Sequence, residues 1–258
     1  MLKTKNLNLS EQFMECKTLI IGSGYSSVGY AMSHGDTLIV ESLELTDPTF
    51  GGALRSFEIE DIPQKDMPSY LLYDYLRSLD ILEGKAVNAS ALECGLSGFA
   101  LERDISVLLK SRVISAQPSG TRTECRLITN SGIITVLADK VIDMRPSGRG
   151  YQSFLFTAKE RESADEVSRI FVDGRVVPAF YRDRYALILP LGFDNSASLA
   201  KERLYSEWGR LSLGAKLLYT APYPFFESER VSVPRDSDFS DPFSALDAGY
   251  FYDREGLI

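Results

Sequence analysis

The sequence of 258 residues predicts an α/β fold in which a parallel sheet, extended by a β-meander, precedes a smaller antiparallel sheet. The first observation is an apolar strand over residues 17–21, followed by glycines, a helix over 26–33 and a second apolar strand over 37–40. A strand, helix and strand in this order form a βαβ unit, whose two strands are parallel. The second observation is the β-rich texture that begins near residue 101 and returns after residue 151.

The remaining elements follow from local signals. A helix is expected over residues 69–82, with Ser69 as its cap. Further strands are expected over 106–116, 124–129, 133–137, 139–143, 153–158, 169–172, 175–181 and 185–191. Asp173-Gly174 favours a hairpin between two of these strands. Ser196 is expected to cap a helix whose apolar face continues to Leu218.

Composition excludes several classes of protein. Hydrophobic residues make 44% of the chain and charged residues 25%, which is typical of a globular protein. The net charge of −8 disfavours nucleic acid as a partner, since phosphate contacts need a basic surface. Apolar runs are too short for a membrane helix, and the first residues lack a secretory signal. With 3 widely spaced cysteines and 1 histidine, we expect no metal site and a cytoplasmic location.

Glycines and small residues follow the first strand in a pattern that suits phosphate binding. Gly22 permits the tight turn out of the strand, and Gly24 lets a phosphate approach the backbone. The next helix then presents free amides and the positive end of its dipole. Glu41, which ends the second strand, is placed to accept hydrogen bonds from a ribose diol. The predicted dinucleotide site comprises Gly22, Ser23, Gly24, Ser26, Ser27 and Glu41.

This fingerprint, together with the order of later segments, resembles the FAD-dependent oxidoreductases of the glutathione-reductase and hydroxybenzoate-hydroxylase type, a Rossmann-like superfamily. The resemblance covers residues 17–193. Phe50-Gly51-Gly52 resembles the paired glycines of that group, and Val113 resembles its adenine-contacting strand. The resemblance implies FAD as the cofactor and adds Gly51, Gly52 and Val113 to the site. The group's C-terminal Gly-Asp motif has no clear match, and the nearest segment is 241–249.

These observations divide the chain into four parts. We expect a flexible leader over 1–16, an FAD-binding domain over 17–150, an antiparallel substrate region with one helix over 151–220, and an irregular tail over 221–258. The tail carries apolar residues and prolines that suit a protein partner or a second copy of the chain. Candidate substrate contacts are Arg145, Tyr181, Arg182 and Tyr185.

The leading functional hypothesis is an FAD-dependent oxidoreductase that acts on a small molecule. Because the chain has one histidine, the flavin is expected to carry the redox step, and no catalytic residue is named. One alternative is a non-catalytic dinucleotide-fold subunit that binds a partner protein. Another is an NAD-dependent dehydrogenase, since the fingerprint does not by itself separate NAD from FAD.

Overall fold

The structure, a computed structural model, describes residues 12–253 except 56, 58, 60, 85, 182, 193–195, 212–213 and 229–232. The predicted βαβ unit is present and opens the fold. Its elements are β1 (Gln12–Ile21), α1 (Tyr25–His34) and β2 (Thr37–Val40). The two strands pair in parallel, with Thr18 opposite Thr37 and Ile21 opposite Val40. All of β2 is buried, as expected for a strand inside a covered parallel sheet.

The rest of the first domain adds helices and a meander to this unit. In chain order the elements are α2 (Pro68–Ser78), β3 (Leu82–Glu83), β4 (Ala86–Val87), α3 (Ala89–Leu101), β5 (Ser106–Leu108), β6 (Arg112–Ser119), β7 (Arg122–Thr129) and β8 (Gly132–Asp143). The large sheet has the strand order β5-β2-β1-β8-β7-β6. Its first four strands are parallel, and β6, β7 and β8 form the antiparallel meander.

The second domain is built on an antiparallel sheet. Its elements are β9 (Arg149–Thr157), α4 (Arg161–Ile170), β10 (Arg175–Pro178), β11 (Arg184–Pro190), α5 (Ala197–Trp208), β12 (Lys216–Thr220) and β13 (Phe225–Glu227). The strand order is β10-β11-β9-β12, with β13 paired to β9. A core that includes Phe154, Phe156 and Leu187 lies between this sheet and the two helices, α4 and α5.

The chain then returns to the first domain. A 3-10 turn (Asp236–Asp238) leads into α6 (Pro242–Phe251), which Asp241 caps by accepting bonds from the amides of Phe243 and Ser244. Helix α6 packs directly against α1. A Cβ built on Gly29 of α1 would lie 2.0 Å from the Leu246 carbonyl oxygen, so only glycine permits this approach.

Several sequence expectations need correction. Strand β1 begins at Gln12, within the expected leader, because residues 12–16 pair with residues 134–138 of β8; residues 1–11 lie outside the described part. The expected strand over 106–116 is two strands, whereas those over 133–137 and 139–143 are one. The expected strand over 169–172 is wrong. Residues 161–170 are helical, so the second domain has two helices and Asp173-Gly174 connects a helix to a strand.

The segment expected to be an irregular tail is also more ordered than predicted. It contains β13, the 3-10 turn and α6, and Leu246 and Phe243 of α6 belong to the main core. Conversely, the helix after Ser196 ends at Trp208, and Leu218 lies in β12. Phe243, Ala245 and Leu246 of α6 are therefore part of the chain's own core, whereas Phe251 at the end of the helix is 41% exposed.

Candidate functional site

The site lies where the carboxyl ends of the parallel strands β1, β2 and β8 meet. The Gly22 amide donates to the Val40 carbonyl at 2.9 Å, and the Met144 amide donates to the Ile21 carbonyl at 2.8 Å. Gly22 has a φ of +103°, and a Cβ there would lie 2.7 Å from the Arg145 backbone nitrogen. The turn therefore requires glycine for both its conformation and its close approach to the chain after β8.

A small cavity beside this turn brings several predicted residues together. It has a volume of about 160 Å³ and is lined by Gly22, Glu41, Val113 and Arg145, among others. Three of these were predicted cofactor contacts, and Arg145 was a candidate substrate contact. The Arg145 guanidinium, however, is paired with Asp143 through bonds of 2.9 and 2.6 Å. This ion pair orients Arg145 along the cavity wall.

Glu41 is buried, and both of its carboxylate oxygens are bonded within the protein. Oε2 accepts from the Ser23 amide at 2.9 Å. Oε1 accepts from the Leu43 amide at 2.8 Å and from the Ser42 hydroxyl at 3.0 Å. Glu41 thus fixes the phosphate-loop backbone at Ser23 as well as bordering the cavity, a structural role that sequence reasoning did not assign to it.

The amino end of α1 is already bonded to a carboxyl group of the protein itself. The Asp236 carboxylate accepts from the Tyr25 amide at 2.9 Å and from the Ser26 amide at 2.8 Å. Asp236 is only 4% exposed. These are amides that the fingerprint offers to a phosphate, so Asp236 occupies the position expected for the ligand.

Sequence reasoning missed Asp236. The Gly-Asp motif has no clear match in the sequence, and Arg235, not glycine, precedes this aspartate. The available signal was the order of elements, because Asp236 is followed by the capped helix α6. The segment 241–249, taken as the nearest match, is that helix and its cap.

A second carboxylate network shapes the loop that carries Phe50-Gly51-Gly52. Glu93 of α3 accepts from the amides of Thr46 and Asp47 at 2.9 and 2.6 Å. The Asp47 carboxylate in turn accepts from the amides of Phe50 and Gly51 at 2.8 and 2.7 Å. A Cβ on Gly51 would lie 2.7 Å from the Glu93 backbone nitrogen. Gly51 therefore permits tight packing of this loop on α3, whereas Gly52 permits close packing within the loop itself, against Asp47 and Pro48.

Burial raises the pKa values of two carboxyl groups at this site, those of Asp47 and Asp236. Asp47 is fully buried, and desolvation, with a further contribution from the charge of Asp236, raises its pKa to about 8. Burial also raises the pKa of Asp236, although the amide bonds from Ser26 and Tyr25 oppose this change. The buried acids therefore make the site sensitive to pH.

One buried cation lies on the same side of the fold. The Arg55 side chain is 9% exposed and sits between the rings of Phe50 and Phe225, with its guanidinium carbon 5.1 Å from each ring centroid. Its Nη2 lies 3.4 Å from a Glu227 oxygen, and its buried Nη1 has no hydrogen-bond partner. Burial lowers the pKa of Arg55, while Glu227 opposes this.

The other candidate substrate residues lie apart from the phosphate loop. Tyr181 borders a cavity of about 40 Å³ together with Leu54 and Ala89. Tyr185 stacks on Phe156 in the second domain, with ring centroids 5.5 Å apart. Arg182 lies outside the described residues. The structure thus brings Tyr181 to the junction of the domains and places Tyr185 at the edge of a core.

A larger cavity of about 810 Å³ adjoins the amino end of α6. Its walls include Phe57, Ile59, Met67, Phe243 and the capping residue Asp241. Asp61 and Asp247 also line this cavity, so its walls combine apolar rings with carboxyl groups. Among the described residues no cluster of potential metal ligands is present.

No protein-family model matches the chain, and no curated protein matches it. Several solved structures, however, match the chain. A flavoprotein/dehydrogenase from Cytophaga hutchinsonii aligns with a TM-score of 0.51 and 13% identity, over 92% of this chain and 76% of that one. A geranylgeranyl bacteriochlorophyll reductase-like protein from Thermoplasma acidophilum aligns with a TM-score of 0.54 and 11% identity, over 93% and 77%.

A third structure, p-nitrophenol 4-monooxygenase PnpA from Pseudomonas putida DLL-E4, aligns with a TM-score of 0.50 and 12% identity, over 83% of this chain and 68% of that one. At such identities the likeness concerns the fold. The chain therefore shares the fold of these three structures, and the predicted α/β class with a parallel sheet and an antiparallel sheet is confirmed.

Proposed function

We propose that this protein binds FAD and acts as an oxidoreductase on a small molecule. The observation that carries the proposal is the juxtaposition, within this fold, of the Gly22 turn, Glu41 and Val113 around one cavity. Gly22 and Val113 form walls for the adenosine part of the cofactor. Glu41 accepts two bonds at one oxygen and one at the other, which leaves acceptor capacity for a ribose hydroxyl.

The donor chemistry at α1 suits the phosphates of the cofactor. The amides of Tyr25 and Ser26 donate to the two oxygens of a carboxyl group, and phosphate oxygens would accept from the same donors. Ser23, Gly24 and Ser27 complete the loop. In this conformation Asp236 occupies the two amides that a phosphate would use. Its carboxyl group must therefore move away before a phosphate can bind them.

The flavin, when bound, supplies the transfer of electrons between substrate and acceptor. The chain's own groups bind and orient. His34 stacks on Tyr30 at the far end of α1, with ring centroids 3.9 Å apart, so the only imidazole of the sequence lies at the opposite end of α1 from the phosphate loop. We assign the cavity at α6 to the redox ring and substrate, with Phe57 and Phe243 as apolar walls.

Absorption spectroscopy of the purified protein, followed by mass analysis of any released nucleotide, tests the proposal. The expected result is a flavin spectrum and released FAD, or uptake of added FAD. A colourless protein that does not take up added FAD contradicts the proposal. Stabilisation by NAD, but not by FAD, would instead support an NAD-dependent dehydrogenase.

A matched pair of variants tests the cavity itself. Val113→Trp fills the cavity, so bound FAD should be lost, whereas Ile114→Trp alters the next residue of β6, which is 49% exposed. The predicted difference is an at least tenfold weaker FAD affinity for Val113→Trp only, which corresponds to about 1.4 kcal/mol. Equal FAD affinity in both variants would place the adenosine elsewhere.

One observation favours a second function, that of a non-catalytic protein with a dinucleotide fold. The phosphate-binding amides are satisfied without any ligand, which is the arrangement expected if the fold no longer needs a nucleotide. The FAD measurements separate the two functions. For either function we place the protein in the cytoplasm, on its cysteine usage; within the described ranges, no helix has the length and apolar character that crossing a membrane requires.

A further inference from the structure

Asp236 and a bound phosphate compete for the same hydrogen bonds. A Cβ built on Gly24 would lie 2.1 Å from Asp236 Oδ2, so the carboxylate lies directly over the glycine that opens the helix. One carboxylate oxygen accepts from the Tyr25 amide, and the other accepts from the Ser26 amide. A phosphate oxygen cannot accept from these amides while Asp236 does.

The segment that carries Asp236 is held by a small set of polar contacts. Arg235 donates to the Ser147 hydroxyl at 2.8 Å, and the Ser147 amide donates to the Ser237 hydroxyl at 3.3 Å. The Ser228 amide donates to the Ser237 carbonyl at 3.0 Å. Withdrawal of the 3-10 turn would break these contacts and leave the α1–α6 packing in place, because α6 begins only at Pro242.

Asp236 lies near the buried Asp47, whose pKa is raised to about 8 by burial, so this neighbour does not add a full negative charge at neutral pH. The buried cation nearby is Arg55, which already has Glu227 as its partner. Asp236 and a phosphate exclude each other by geometry, because both would accept from the amides of Tyr25 and Ser26.

We propose that Asp236 is a built-in competitor for the phosphate site. The nucleotide-free protein satisfies the amino end of α1 with its own carboxylate, and a nucleotide phosphate binds only when the segment 235–238 withdraws. As applied to FAD, this inference rests on the proposed function. As applied to phosphate in general, it rests on the contacts of Asp236 alone.

The variant Asp236→Asn, with Asp238→Asn as control, tests the competition. Both remove one negative charge from the same 3-10 turn, but Asp238 accepts from the Arg235 amide and makes no bond to α1. Melting temperatures and titration calorimetry are measured with inorganic phosphate, ADP and FAD. We expect Asp236→Asn alone to melt below the wild type without ligand and to bind ADP at least about tenfold more tightly.

The outcomes separate this inference from the proposed function. Selective stabilisation of Asp236→Asn by phosphate, without FAD binding by any variant, supports the competition and contradicts the flavin proposal. Equal FAD affinity in wild type and Asp236→Asn supports the flavin proposal and overturns the competition. Identical responses of the two variants to phosphate and ADP, including no response, also overturn it.

A measurement on the wild type covers the case in which Asp236→Asn does not fold. Hydrogen exchange is compared with and without a saturating concentration of ADP. The Ser228 amide should exchange faster with ADP, because its acceptor on Ser237 withdraws, while the Tyr25 and Ser26 amides stay protected by phosphate. Unchanged exchange at Ser228, whether ADP binds or not, overturns the proposal.

Discussion

At the residue scale, the site is organised by buried and half-buried carboxyl groups that accept from backbone amides. Glu41, Asp47, Glu93 and Asp236 each accept from two amides of the loops around the phosphate turn. A carboxylate provides only acceptors, so it satisfies loop amides that no strand or helix partner reaches. The loops thereby keep their shape without a ligand.

Sequence reasoning located part of this network. Gly22 and Glu41 were predicted from their positions at the ends of two strands, and both lie at the cavity. Asp236 could not be placed in this way, because its partner Ser26 is 210 positions away in the chain. A contact of that range depends on the path of the whole second domain, which local patterns do not specify.

Asp47 should make stability fall as pH rises. Because its folded pKa is raised from 3.8 to about 8, the folded state keeps a proton that the unfolded state loses within that interval, so the free energy of unfolding decreases from pH 3.8 to about 8. In Asp47→Asn this decrease should be smaller by roughly 1–4 kcal/mol between mildly acidic and mildly alkaline pH. Urea unfolding across pH measures it.

The control for this prediction is Asp183→Asn. Asp183 is exposed, and its substitution should leave the pH dependence unchanged. A wild-type slope that persists in full in Asp47→Asn would mean that other groups carry it. Part of the slope is expected to remain in any case, because burial raises the pKa of Asp236 in the same direction.

At the scale of elements, the sequence predictions were accurate where the residues at both ends of an element mark its start and stop, and wrong where the apolar pattern fits two kinds of element. Strand β2 was predicted with its observed bounds because glycine and aspartate precede it and Glu41 ends it. Helix α4 was missed because Ile170, Phe171 and Val172 look like a strand. The buried residues Ala164, Val167 and Phe171 have helical spacing, which was the better indicator.

Gly29→Ala tests the contact between α1 and α6. The added methyl carbon would lie 2.0 Å from the Leu246 carbonyl oxygen, so the helices must separate. Overpacking of this kind should lower the free energy of unfolding by about 1–3 kcal/mol or more. Gly209→Ala is the control, since a Cβ there meets nothing within 4 Å. Equal stabilities of the two variants would show that the helix contact is dispensable.

At the scale of the whole molecule, a small apolar junction joins the loop that follows β2 to the antiparallel sheet. Ala53 of the first domain packs with Ile188 and Phe225 of the second. Ser153 donates to the Leu54 carbonyl at 3.2 Å beside it. The order of parallel unit, meander and antiparallel sheet was predictable from the sequence. This junction was not, because it depends on how residues 53–55 approach a distant sheet.

Phe225→Ala should uncouple the two domains. Loss of this buried ring should cost about 3–5 kcal/mol and weaken the junction. Trp208, the only tryptophan, packs on Phe156 in the second domain, so its fluorescence reports that domain, while circular dichroism reports the whole chain.

The two signals should coincide on urea unfolding of the wild type and separate in Phe225→Ala. Phe13→Ala, at an exposed position, should leave them coincident. Coincident curves in Phe225→Ala would indicate that the domains are coupled through other contacts.

The bond between Ser26 and Asp236 also has a consequence for synthesis on the ribosome. The two residues are 210 positions apart, and a ribosome adds about 5–20 residues per second. Synthesis of Asp236 and α6 therefore follows synthesis of α1 by an interval on the order of 10–40 seconds. During that interval its apolar face and its unsatisfied amides are exposed to the cell. Nascent-chain binding by chaperones should be strongest over this interval and should end when α6 emerges.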